Sequence, residues 1–176
     1  IIFDYPLKEF RLDGYSKEVK VLQSDIQPFD RALQAILLSQ FRRKVFAEHG
    51  WLIKPVILFK SKTIKESNDF YDEFRVKSKA LKGSDLAKVA SNPNLDSVLA
   101  SVFSYFASNN ITLDNLALEL QEEFAENKCI SVNSKDESEQ KQIAVNTLED
   151  DNNEYRAIFA VDKLNEGWDV LDRKST

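Results

Sequence analysis

Two short apolar runs, Pro55-Val56-Ile57-Leu58-Phe59 and Ala157-Ile158-Phe159-Ala160-Val161, limit most sharply what this chain can fold into. Both are apolar on both faces and partly β-branched, the pattern of buried strands in a parallel sheet rather than of half-exposed antiparallel ones. Cys129-Ile130-Ser131-Val132 is a third candidate strand. The stretches between them carry helical spacing. Pro28 suits a first helical turn, and Phe29, Leu33, Ile36, Leu37, Phe41 and Val45 recur on one face, with Gly50 as the stop. Thr63 and Glu66 can form a capping box ahead of a helix bearing Ile64, Tyr71 and Phe74. Ile143, Ala144, Thr147 and Leu148 mark another helix. Strands alternating with helices imply right-handed crossovers, hence an α/β fold with a mostly parallel sheet.

Residues 84–127 break that alternation. Leu95, Val98, Leu99, Val102, Phe103 and Phe106 form an amphipathic stripe, Asn109-Asn110 a turn, and Thr112 a cap for a helix with Leu113, Leu116, Leu120 and Phe124. The stretch is expected to be a helical hairpin inserted between sheet elements. Residues 1–24 read as extended, with Phe10, Leu12 and Val19-Lys20-Val21 alternating loosely around Gly14.

In a parallel α/β sheet, ligands bind beyond the carboxyl ends of the strands. The loops Lys60–Thr63 and Asp162–Val170 are therefore the places to look for chemistry. The second is crowded with Asp162, Lys163, Asn165, Glu166 and Asp169 around Gly167, which permits close approach of a ligand. From the residues alone it is either a ligand-binding loop or a capped strand-to-helix turn with Trp168 in the core.

Other chemistries lack their residues. The four glycines, Gly14, Gly50, Gly83 and Gly167, build no phosphate-gripping P-loop, and no strand ends in a paired-carboxylate motor motif. No catalytic residue and no metal site are expected in this chain. The single histidine, His49, lies at a helix end where a cation suits the dipole, and the single cysteine, Cys129, opens an apolar strand as a small hydrophobe. Glu126-Asn127-Lys128 and Glu18-Val19-Lys20 fit half of a metal-dependent nuclease motif, but the facing carboxylate is not visible and a solvated helix end is the default. One cysteine and no bilayer-length apolar run imply a cytoplasmic protein without a membrane partner. The opening Ile1-Ile2-Phe3-Asp4 is not a signal peptide. With no methionine, the chain reads as a fragment of a longer protein whose numbering can run across missing residues. A net charge of -5 counts against a whole-surface nucleic-acid binder, though not against a local basic patch.

Residues 157–170, from Ala157 through Gly167-Trp168-Asp169-Val170, closely resemble motif V of the restriction subunits of type III restriction enzymes and their superfamily-two helicase relatives. Lys54–Lys62 resembles motif IV of the same group, and the stretch from Arg31 to Arg43 resembles the helix before it. The resemblance implies a RecA-like second helicase lobe over 25–83 and 128–176, incomplete at its C-terminal end, with 1–24 as an interlobe connector and 84–127 as the helical insertion. It implies that Glu166, Gly167 and Asp169 approach ATP. It further implies that Lys60, Ser61 and Lys62, with Asp162, Lys163 and Asn165, lie on the DNA side or the coupling path. ATP and Mg2+ would be held mainly by a first helicase lobe of the same chain. Further partners would be double-stranded DNA and a methyltransferase (modification) subunit. The intact parent would be an ATP-dependent helicase or translocase with scope for endodeoxyribonuclease activity, and this fragment alone would be inactive. After Val170 the sequence leaves the family pattern: no further apolar strand or arginine-bearing motif follows, so Arg173 is not assigned as an arginine finger. The competing reading is a non-catalytic interaction module that docks a partner such as a methyltransferase subunit.

Overall fold

A computed structural model describes residues 26–133 and 139–161, together with Leu12. Helix α1 (Pro28–Glu48) leads to strand β1 (Ile57–Ser61) and helix α2 (Ile64–Lys79). Three helices follow, α3 (Gly83–Ala90), α4 (Ser97–Ser108) and α5 (Leu113–Glu123), then a 3-10 turn (Glu126–Lys128). Strand β2 (Cys129–Val132), helix α6 (Glu139–Asn146) and strand β3 (Ala157–Val161) complete the order.

Local chemistry sets the boundaries. Pro28 occupies the first turn of α1, where its missing N–H costs nothing. The helix stops at His49, and Gly50 takes a φ of +79° that a side chain would resist. Thr63 and Glu66 form the expected capping box of α2. Thr112 Oγ1 accepts from the Asn115 amide at 3.2 Å to start α5, and Asp96 accepts from the Val98 amide at 2.7 Å to start α4.

The described strands form one parallel sheet in the order β1-β3-β2. β3 is central and buried at every position. One face of the sheet, with Phe59, Ala157, Phe159 and Cys129, packs into a core that takes in Ile36 and Leu37 of α1, Phe74 of α2, Phe106 of α4 and Leu120 of α5. The other face, with Ile130, Val132 and Ile158, packs against Val145 of α6. Helices on both faces of a parallel sheet are the α/β arrangement of a RecA-like lobe.

Several details differ from expectation. The stretch between α2 and β2 holds three helices rather than a hairpin: α3 escaped notice because its eight residues bury only Gly83 and Leu86. Leu95 sits ahead of α4 rather than within it. Val102, Phe106, Leu116, Leu120 and Phe124 share the main core with the sheet, so these helices are part of its packing. Ile64 and Ile143 are exposed, and Phe70 and Val145 take the inward positions. β1 is not buried on both faces: Leu58 and Lys60 alternate outward, because β1 lies at the edge of the described sheet. Leu12 is helical and exposed, so the extended reading fails at that position; the remainder of residues 1–24 lies outside the described residues.

Candidate functional site

The parallel register brings the strand exits to one edge. Ser61 at the end of β1 pairs with Val161 at the end of β3, and Val132 of β2 pairs with Ala160. Anything leaving β3 therefore starts beside the loop that leaves β1. That loop is short. Lys60 and Lys62 are exposed and Ser61 half-buried before Thr63 caps α2. The Glu66 carboxylate accepts from the Lys62 and Thr63 amides, at 3.2 Å each, and the Glu66 amide donates to Thr63 Oγ1 at 3.1 Å. These bonds satisfy the open amides of the first helical turn and fix the direction of the loop. Lysines on a fixed strand end can hold phosphate oxygens without reading bases.

A groove of about 750 Å3 runs beside this edge, between α1, β1 and α2, with Arg31, Lys60, Lys62, Glu66 and Asp69 on its walls. A larger depression, about 1020 Å3, lies between the far end of α2 and α5, lined by Arg75, Val76, Leu118 and Glu126. It is at the amino ends of the strands, and Arg75 there is occupied by ion pairs with Glu126 and Asp72. The strand-exit edge is the better candidate, since parallel sheets bind ligands at their carboxyl ends.

β2 leaves the same edge through a polar cluster that sequence reasoning missed. Asn133 is buried; its Nδ2 donates to Asn68 Oδ1 at 2.6 Å and to Ser131 Oγ at 2.8 Å. Lys141 Nζ donates to the Ser131 carbonyl at 2.8 Å. The cluster ties α2 and α6 to the end of β2. Its one sequence signal was an asparagine directly after a strand.

Of the expected site residues, Lys60, Ser61 and Lys62 are together at this edge. Asp162, Lys163, Asn165, Glu166, Gly167 and Asp169 lie outside the described residues, as does Glu18-Val19-Lys20. Glu126 pairs with Arg75 at the far end of α2, and that pair holds its carboxyl below the usual range. Burial pushes the Cys129 thiol up to about 12, which keeps it protonated and unreactive at neutral pH. His49 Nδ1 lies 2.8 Å from the Val45 carbonyl at the end of α1. Among the described residues, no three His, Cys, Asp or Glu side chains could hold a metal ion together, and no helix is long and apolar enough to cross a membrane.

Comparison with known proteins places a relative beside this geometry. The chain is 31% identical over 192 residues to the probable type III restriction-modification enzyme HindVIP Res subunit of Haemophilus influenzae. The match takes in 98% of this chain and 37% of that protein, so the chain spans little more than a third of its relative's length. No family model and no solved structure matches the chain.

Proposed function

Because the chain is a relative of a type III restriction Res subunit along nearly its whole length, we propose that it forms the second motor lobe of an ATP-dependent DNA helicase or translocase of the restriction type. The observation that carries the proposal is the pairing of Ser61 with Val161. It sets the end of β3 beside Ser61, next to Lys60 and Lys62, which supports a coupling of nucleotide to polymer at this edge.

In this reading Gly167 and Asp169 approach ATP, with Glu166 ordering their loop. Asp162, Lys163 and Asn165 lie on the path between nucleotide and DNA. Lys60, Ser61 and Lys62 hold the backbone of double-stranded DNA. The metal and most ATP contacts belong in this reading to a first lobe of the same protein. Closure of the two lobes on ATP and their reopening would move the duplex. A modification subunit is the proposed protein partner, and the cytoplasm the proposed compartment.

Two measurements on the intact protein test this. Lys60→Ala/Lys62→Ala is expected to weaken DNA binding and to reduce the slope of log affinity against log salt by about 2, given roughly 0.9 per phosphate contact. An unchanged slope would remove the β1 exit from the DNA surface. Asp169→Ala is expected to lower DNA-stimulated ATP turnover about tenfold or more, the scale of a coupling free energy of about 1–3 kcal/mol. Full turnover in that variant would sink the nucleotide role. If both variants behave as the parent does, the interaction-module reading stands in its place.

A further inference from the structure

We draw no further inference here: the strongest candidate, the exposed apolar run Trp51-Leu52-Ile53 beside the groove between α1 and β1, carries nothing, because Arg43 and Lys54 share the rim of that groove with Glu149, Asp150 and Asp151 and nothing in the structure shows what covers the run.

Discussion

Arg156→Ala is expected to lower the unfolding free energy of this chain by about 3–5 kcal/mol, the range for breaking a buried ion pair by removing one partner. Arg156 is 1% exposed at the amino end of β3. Its Nε donates to the Pro55 carbonyl at 3.1 Å, one terminal nitrogen donates to Ser39 Oγ at 3.1 Å, and the other pairs with Glu123. Its guanidinium carbon lies 5.0 Å from the centre of the Phe124 ring. One side chain thus ties α1, the approach to β1 and the end of α5 to the central strand. Burial pulls the guanidinium below its ordinary pKa, and the neighbouring Glu123 opposes that shift. Truncation would leave the Pro55 carbonyl with Ser39 Oγ alone and Glu123 with Arg43 alone, and would open a cavity beside Phe124. Urea unfolding measures the effect. A midpoint shift worth less than about 1 kcal/mol would mean that the site collapses or hydrates freely, and that the network does not hold the layers together.

The sequence carried some of this and not the rest, for physical reasons. The strand at Ala157–Val161 was legible because an unbroken apolar run leaves few alternatives, and the α2 cap because both of its partners lie within one turn. Arg156 was illegible: its partners Glu123 and Ser39 are 33 and 117 residues away, and a charged residue beside a strand reads as solvated until the tertiary fold brings them in. The exposed outer side of β1 was missed for a related reason. Apolarity at Leu58 suggested burial on both faces, while the strand's place at the edge of the described sheet decides otherwise. At the candidate site, Lys60–Thr63 could be found from a strand end followed by a cap. Asn68, Ser131, Asn133 and Lys141 could not, since only the packing of α2 and α6 against β2 brings them together.

The same central strand sets the other large effect. Phe159→Ala is expected to cost about 3–5 kcal/mol, the usual range for deleting a buried phenylalanine. Phe159 is 1% exposed, and four rings surround it, with centroid distances of 4.9 Å to Phe59, 5.1 Å to Tyr71, 5.2 Å to Phe74 and 5.7 Å to Phe70. Phe59 comes from the neighbouring strand in register with it, and the other three come from α2. Alanine would remove the contacts of all four at once, and no one neighbour can fill a space bounded by two different layers. Phe159→Leu keeps most of the volume and should cost only about 1–2 kcal/mol, separating the cavity from the lost ring pairs. Phe103, partly buried on α4, supplies the comparison: its alanine variant should cost less, because the side chain already meets solvent on one side. Equal costs at the two positions would mean that the aromatic cluster is not the joint between β3 and α2. The Ser61–Val161 edge would then lack the rigid base that the proposed motor role calls for.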